Sequence, residues 1–254
     1  MTGALSLGIA AAGGAGLAAR LAPAAEAAGF HALWVNDTPG HDALRVLEAA
    51  AGVTGGLGLA TGVLPVDRRS PGEILAGAVA LPADRLTLGI GSGQLRTGAV
   101  KRVTDASAAL RERTPARVVV GALGPRMRRA GATASDGVLL SWLTPEIAAA
   151  QARDAHRLEV TAHVALYVRT ATDAAATSVL DEEARRYATY PAYAANFSRL
   201  GVDARDTVIR PGELRDRIAA YREAVDEVVL RAITPSGSAD EHLRFIDAVA
   251  EAVA

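Results

Sequence analysis

The sequence predicts one (β/α)8 barrel, a TIM barrel, that spans residues 1–254 as a single domain. Short apolar segments alternate with amphipathic ones along the whole chain, and eight such pairs occur without a break in composition. Alternation of this kind indicates a parallel sheet covered by helices. The chain has 254 residues, the size of one such barrel, and 50% of them are hydrophobic, which allows a large core. A doubly wound sheet of eight strands would show the same alternation and stays open as the alternative fold.

Eight apolar segments are the predicted strands. Short runs rich in Leu, Val and Ile are typical of parallel strands that are buried on both faces. In chain order the segments are Leu5–Ala10, Ala32–Val35, Leu57–Leu64, Leu86–Ile90, Arg117–Val120, Gly137–Ser141, Val160–Arg169 and Asp226–Arg231.

A segment with helical spacing of apolar residues follows each strand. In the first of them, Leu17, Leu21 and Ala24 fall on one helix face at spacings of four and three. The spacing of Ser238 and Glu241 fits a capping box at the start of the last helix. The predicted helices are Leu17–Ala28, Asp42–Ala51, Pro71–Leu81, Ala99–Arg113, Pro125–Ala134, Pro145–Arg157 and Ala239–Val253, with a longer helical stretch over Asp173–Tyr221.

The stretch Asp173–Tyr221 is too long for one crossover helix. Pro191 and Pro211 interrupt it, and proline cannot continue a helix interior because it lacks the N–H group and clashes with the preceding turn. We therefore expect two or three helices between the seventh and eighth strands.

Charge and composition exclude several classes of function. Lys and Arg total 27, Asp and Glu total 28, and the formal net charge of −1 gives no indication of a nucleic-acid or membrane surface. Because the chain has no cysteine, disulfides, thiolate nucleophiles and cysteine-ligated metal sites are excluded. The histidines are scattered and show no metal-binding spacing.

The chain begins without a basic segment followed by an apolar core, and no apolar run reaches membrane-spanning length, so we expect a cytoplasmic protein.

A glycine-rich segment follows the predicted fourth strand. In Gly89-Ile-Gly91-Ser92-Gly93 the glycines expose backbone N–H groups ahead of a helix, an arrangement that can hold a phosphate. A plain turn that needs positive φ would use glycine equally well.

Two further segments lie at predicted strand ends. After the fifth strand, Gly124 can turn the chain and Pro125 suits the first helical turn, so that Arg126 could face an anion or a ring edge. At the end of the third strand, Gly62 beside Val63 indicates either a bulge or the close of the strand.

A dinucleotide-type fingerprint competes with this interpretation. Gly14, Gly16 and Ala19 fit G-x-G-x-x-A after the first strand, and Asp37 supplies an acid about twenty residues later. Gly13 and two alanines separate the motif from the strand, whereas the tight turn should follow the strand directly. A Rossmann-type NAD(P) dehydrogenase stays open as one alternative.

Polar side chains share one face of the seventh and eighth strands. Because side chains alternate along a strand, His163 and Glu227 should point into the barrel, where we expect a buried structural network. Arg169 and Arg231 should lie near the rim, where they could bind an anionic substrate or form salt bridges. Trp142 ends the sixth strand and could pack on a substrate or within the core.

Taken in order and spacing, these segments resemble the luciferase-like monooxygenase family. The resemblance spans nearly the whole chain and is most specific over Val118–Pro145, where the GPRM motif leads to Asp136-Gly137. The other stretches that carry it are ALWVND at 32–37, TGV with RRSP within 61–71, LGIGSG at 88–93, YPAY at 190–193 and VDEVVL at 225–230.

The resemblance implies a TIM barrel that binds F420, our first choice, or FMN at its carboxyl-terminal mouth. It implies hydride transfer or flavin-type oxygenation of a small organic substrate, a homodimer, and a cis peptide bond between Gly62 and Val63 behind the ring. The residues implied for the cofactor are Asn36, Gly62, Val63, Gly91, Ser92, Gly93, Ala122, Gly124, Pro125, Arg126 and Met127, and those for the substrate are Trp142, Arg169 and Arg231.

The sequence departs from the family in two places. Many F420 enzymes carry an Asp-His pair after the second strand, but here Thr38 follows Asp37 and the nearest imidazole is His41. Asp37 and His41 are therefore the candidate acid/base residues.

Between Gln94 and Ala116 only one short helix fits, where the family has a longer insertion, so we expect an open mouth that excludes water poorly. A degenerate, non-catalytic barrel that binds a ligand or partner is accordingly the first alternative.

Overall fold

The strands follow the predicted order along the chain, in a computed structural model that describes residues 2–254. All of them pair in parallel. They are β1 (Ala4–Ala10), β2 (Ala32–Asn36), β3 (Gly58–Thr61), β4 (Leu64–Pro65), β5 (Leu86–Gly91), β6 (Arg117–Gly121), β7 (Gly137–Ser141), β8 (His163–Thr170) and β9 (Glu227–Ala232).

The sheet closes on itself and forms the predicted eight-stranded barrel. Its order is β3-β2-β1-β9-β8-β7-β6-β5-β4, and β3 also pairs with β5 through Leu59 and Ala60. Because β3 and β4 both lie beside β5, they are two halves of the third barrel strand. Closure excludes the doubly wound alternative. It also removes the Rossmann interpretation, which needs an open sheet with a topological switch point.

Helices surround the barrel. They are α1 (Gly14–Ala27), α2 (Ala43–Ala51), α3 (Pro71–Ala78), α4 (Ala99–Arg111), α5 (Pro125–Ala134), α6 (Pro145–Leu158), α7 (Thr177–Thr189), α8 (Pro191–Leu200), α9 (Leu214–Ala224) and α10 (Ala239–Val253). Helices α1 to α6 each lie between two successive barrel strands, α7, α8 and α9 lie between β8 and β9, and α10 follows β9. Short 3-10 turns cover Ala11–Gly13, Ala174–Ala176 and Ala204–Thr207.

The helices and strands lie where the sequence predicts them, and their ends differ locally. The stretch after β8 divides into α7, α8 and α9, and Pro191 occupies the first turn of α8 as expected. The seventh strand begins at His163 and not at Val160, because Glu159 and Thr161 form a turn in which the Ala162 N–H donates to the Glu159 carbonyl. The Ser238–Glu241 capping box at the start of α10 is confirmed.

Apolar side chains fill two concentric layers. The outward-facing residues of the strands pack against the helices in one large core. Inside the barrel the layer is smaller and consists of Ala32, Trp34, Ala60, Val119, Leu139, Ala165, Tyr167 and Val229. No helix within residues 2–254 is long and apolar enough to cross a membrane.

A buried carboxylate organises the amino-terminal end of the barrel interior. Glu227 accepts hydrogen bonds from Ser6 Oγ at 2.5 Å and Trp34 Nε1 at 2.6 Å, and its other oxygen lies 2.8 Å from His163 Nε2. Burial opposes the charge, but the hydrogen bonds and charge of His163 and the bonds from Ser6 and Trp34 hold the pKa of Glu227 below its ordinary value. The network predicted for His163 and Glu227 is confirmed.

Glu227→Gln should destabilise the barrel at neutral pH by about 3 kcal/mol, because it leaves buried donors without a charged acceptor. A lowered native pKa stabilises the fold above the unfolded value near 4.3, and this contribution is lost as pH falls through the native pKa. The difference in the free energy of unfolding between wild type and Glu227→Gln should therefore shrink on acidification. Urea unfolding curves at several pH values measure it. Glu223→Gln, an exposed glutamate without an ion pair in the described chain, is the matched control and should stay within about 0.5 kcal/mol of wild type. Identical pH profiles for the two variants would contradict the assignment.

Candidate active site

The third barrel strand breaks at its carboxyl end, between β3 and β4. The Gly62 N–H donates to the Val35 carbonyl at 2.9 Å, and the Asn36 side-chain amide donates to the Gly62 carbonyl. The peptide bond between Gly62 and Val63 is cis, as the resemblance implied. Strand β2 thus holds this segment through both its backbone and Asn36.

The Val63 side chain lies across the ends of two neighbouring strands. A Cβ atom at Gly91 would stand 2.6 Å from Val63 Cγ2, and one at Gly121 would stand 2.9 Å from Val63 Cγ1. Such distances are too short for any other residue, so glycine at both positions is what allows the approach. Val63 itself is partly exposed. The ends of the third, fourth and fifth barrel strands therefore meet at one opening, with an apolar side chain on its wall.

Thr61 and Gly89 hold the third and fourth barrel strands together beside Val63. The Thr61 hydroxyl donates to the Gly89 carbonyl at 3.1 Å and accepts from the Gly89 N–H at 2.9 Å. A Cβ atom at Gly89 would overlap the Thr61 carbonyl oxygen. The absence of a side chain at Gly89 thus permits the reciprocal bonds that join the third and fourth barrel strands.

Tyr167 forms the floor beneath the wall. Its ring would meet a Cβ atom at Gly62 at 2.9 Å and one at Gly8 at 3.1 Å, and it packs edge-on against Trp34 with 6.1 Å between ring centroids. The Tyr167 hydroxyl is buried and has no hydrogen-bond partner within residues 2–254. Burial raises the pKa of Tyr167, so the phenol stays protonated at neutral pH and keeps a free O–H donor.

The glycine loop after β5 holds a carboxylate of this same chain. Gly93 has φ of 60°, and the Gln94 N–H donates to Asp67 Oδ2 at 2.7 Å. A Cβ atom at Gly93 would overlap the Asp67 carboxylate. The Gln94 N–H, which follows the Gly91–Gly93 segment expected to face a phosphate, is thus occupied by Asp67.

Residues 5–98 match the family model described as luciferase-like monooxygenase. The predicted resemblance is confirmed. The matched segment runs from β1 through β5 and includes Asn36, Val63, Asp67 and Gly91, so it contains most of the wall just described. No match was found among curated protein sequences.

Solved structures resemble the fold of this chain over its whole length. The monooxygenase RslO1 from Streptomyces bottropensis is 19% identical, with 98% of each chain covered and a TM-score of 0.72. The coenzyme F420 dependent tetrahydromethanopterin reductase from Methanopyrus kandleri is 14% identical, with 100% of this chain and 99% of that chain covered and a TM-score of 0.74. The 3,6-diketocamphane monooxygenase from Pseudomonas putida, in complex with FMN, is 13% identical, with 100% and 98% covered and a TM-score of 0.65. At these identities the likeness establishes the shared barrel fold.

Asp37, one of the two candidate acid/base residues, is enclosed by its own ion pairs. The side chain is 1% exposed, and Arg68 and Arg69 approach it at 3.3 and 3.2 Å. Burial raises the pKa of Asp37, although the Ala43 N–H and both arginines act in the opposite direction. His41 is exposed, and its ring makes no hydrogen bond in the described chain. The two candidate acid/base residues thus do not form a pair, and only His41 is open to solvent.

The residues predicted after β6 divide between the mouth and the outside of the barrel. Ala122 is buried, and its N–H donates to the Leu139 carbonyl at 3.0 Å. Gly124 caps α5 and Pro125 occupies its first turn. Met127 packs against the outer core, and Arg126 lines a groove between α5 and α6. Arg126 and Met127 therefore lie away from Val63, because the first helical turn directs them to the helix layer.

Trp142 and Arg169 are buried against an aromatic cluster from α7 and α8. The Arg169 guanidinium lies 4.1 Å from the Trp142 ring centroid and 4.8 Å from that of Tyr187, and it also contacts Glu183 at 3.2 Å and Ser141 at 2.6 Å. Neither side chain presents a free surface to a substrate in this conformation.

The third substrate candidate, Arg231, is the register partner of Arg169 on the neighbouring strand β9. It is partly exposed and donates to the Ala232 carbonyl. Of the three residues implied for the substrate, only Arg231 is open to solvent.

The largest cavity described lies at the opposite, amino-terminal end of the barrel. Its volume is about 1090 Å³, and its lining includes His31, Arg117 and the His163–Glu227 pair. Barrel enzymes use the carboxyl-terminal loops for their chemistry, whereas the amino-terminal face serves stability. We therefore assign the candidate site by the convergence of strand ends at Val63 and not by cavity volume.

Sequence reasoning missed Asp67 and the orphaned Tyr167 hydroxyl. The charged run Asp67-Arg68-Arg69 between two strands was the only available signal for the first. Nothing local distinguishes the second, because its isolation depends on glycines at positions far away in the chain.

Gly89→Ala should destabilise the protein by about 1–3 kcal/mol, since the added methyl group must displace the Thr61 backbone. Gly16→Ala is the matched control: it lies within α1 with open space around its Cβ position and should stabilise by roughly 0.5–1 kcal/mol. Urea unfolding midpoints measure both. Equal effects at the two glycines would show that the strands do not approach as described.

Proposed function

We propose that this chain is an oxidoreductase of the luciferase-like type that holds a flavin or deazaflavin ring, FMN or F420, against Val63 and acts on a small organic substrate. One observation carries the proposal: a partly exposed apolar side chain is held over Gly91 and Gly121 where three strand ends meet. A flat aromatic ring needs such a wall, because glycines leave room for it and the valine methyl groups offer apolar contact.

The residues at the mouth fit the ring better than they fit a phosphate. Val63 supplies an apolar face, and the Tyr167 hydroxyl beneath it is a buried polar atom without a partner in the described chain. At the Ser92–Gln94 loop, by contrast, the Asp67 carboxylate already accepts the Gln94 N–H group. The fit therefore supports the ring, whereas a carboxylate stands at the loop where a phosphate was expected.

When bound, a flavin or deazaflavin would supply hydride transfer, and a flavin also the reaction with oxygen. The chain's own residues would position the ring through Val63, while Asn36 keeps the Gly62 carbonyl fixed behind it. Tyr167 would hold its proton. The connection between β5 and α4 covers only residues 92–98, which leaves the mouth open to water.

A non-catalytic barrel that binds a ligand or partner is the second candidate. It is favoured by the engagement of Asp37 with Arg68 and Arg69 and by the burial of Trp142 and Arg169, which leave few free polar groups for chemistry. A homodimer and a cytoplasmic location stay predictions under either proposal.

Val63→Asp should weaken binding of the flavin or deazaflavin at least about tenfold, because a carboxylate pressed against an apolar ring loses its hydration. The measurement is titration of the full chain with FMN and with F420, followed by absorbance and fluorescence. Val79→Asp makes the same change at a valine that is 84% exposed on the end of α3 and should leave binding unchanged.

Equal affinities for the two valine variants would overturn the proposed ring site. If wild type binds neither cofactor and neither of their phosphate-free forms, the non-catalytic barrel becomes the better account.

A further inference from the structure

The segment after β4 is fixed against the end of β5. The Val66 N–H donates to the Gly91 carbonyl at 2.9 Å, and the Arg68 and Arg69 N–H groups both donate to the Pro65 carbonyl at 3.1 Å. Val66 is also buried. This turn places the backbone of Asp67 beside the Ser92–Gln94 loop whatever its exposed side chain does.

The Asp67 carboxylate lies where an anion bound by this loop would lie. It accepts the Gln94 N–H at 2.7 Å and fills the space above Gly93, whose missing side chain leaves room for it. A loop with exposed N–H groups and a residue at positive φ attracts anions in general. Here an internal carboxylate already accepts one of its N–H groups, that of Gln94.

The charge of Asp67 is not neutralised by the neighbouring arginines. Arg68 and Arg69 extend toward Asp37 and Asp42 at 3.1–3.3 Å, and across residues 2–254 Asp67 forms no ion pair. Arg96, the one charged residue of the 92–98 loop, is exposed and likewise lacks an ion pair in the described structure. A phosphate that approached the loop would therefore meet an uncompensated negative charge.

We infer that Asp67 selects against a phosphate at the Ser92–Gln94 loop, so that the mouth takes a flavin-type ligand whose side chain is uncharged there in preference to its phosphorylated form. The inference rests on the proposed function, because it concerns the same ring site. It makes Asp67 a specificity-determining residue that discriminates by charge at the ligand's tail, several atoms away from the ring.

The experiment compares riboflavin with FMN, which share one ring and differ by the phosphate. A second pair, F420 and its phosphate-free deazaflavin nucleoside, covers the other ring. Dissociation constants are measured by fluorescence titration of wild type, Asp67→Asn and Asp84→Asn as full chains. The side-chain amide of the Asp67→Asn variant keeps an oxygen that can accept from the Gln94 N–H but carries no charge, so this variant separates charge from shape.

Wild type should bind the phosphate-free member of the pair at least as tightly as the phosphorylated one. Asp67→Asn should shift the affinity ratio toward the phosphorylated ligand by about tenfold or more, since like charges at contact distance repel strongly. Asp84→Asn, an exposed aspartate without an ion pair in the described chain that precedes β5 at the other end of the barrel, should leave the ratio unchanged.

A wild type that prefers the phosphorylated ligand tenfold, or a ratio that Asp67→Asn does not move, would overturn the inference while the ring site stands. Failure of all four ligands to bind wild type would instead overturn the proposed function, and the inference with it.

Discussion

The backbones of three neighbouring strands approach one another closely at the mouth because Gly89, Gly91 and Gly121 carry no side chain. Gly89 admits the Thr61 backbone, and the other two admit the methyl groups of Val63. Any larger residue would separate the strands or turn Val63 away. The closed barrel depends on this approach, because the strands are too close there to admit one additional methyl group. The position of Val63 and the space in front of it depend on it as well.

Most charged groups around the mouth are engaged with one another. Asp37 is buried and paired with two arginines, and the Arg169 guanidinium lies over the rings of both Trp142 and Tyr187. Such buried pairs constrain geometry more than they add stability, because desolvation offsets much of the attraction. Asp67 and Arg96 are exceptions: the Asp67 carboxylate binds a backbone N–H, and neither residue forms an ion pair within residues 2–254. The mouth is therefore apolar at the ring wall, and unpaired charges lie at the loop beside it.

The sequence predicted the barrel because its evidence is local and repeated. Apolar segments with strand or helix spacing identify each unit, and Pro191 marks a helix start by its missing N–H group. Strand ends were harder to place. Val160 looks like a strand residue yet is exposed in a turn, since the neighbouring Glu159 and Thr161 bond to each other.

The candidate site was only partly predictable. Glycines at strand ends identified the elements that meet at the opening, because parallel strands bring their carboxyl ends to one edge. The partners of Asp67, Asp37 and Arg169 could not be found in this way. Each is set by contacts between residues far apart in the chain, such as Asp67 with Gln94 or Arg169 with Trp142, and local patterns carry no information on such pairs.

Methyl NMR of the valine-labelled protein tests the central claim most directly, because it reports on the Val63 wall itself. On addition of riboflavin or the deazaflavin nucleoside, the Val63 methyl signals should move by the ring current of an aromatic face in contact, while those of Val79 stay in place. Binding that leaves the Val63 signals unmoved, with changes confined to other methyl groups, would contradict the account.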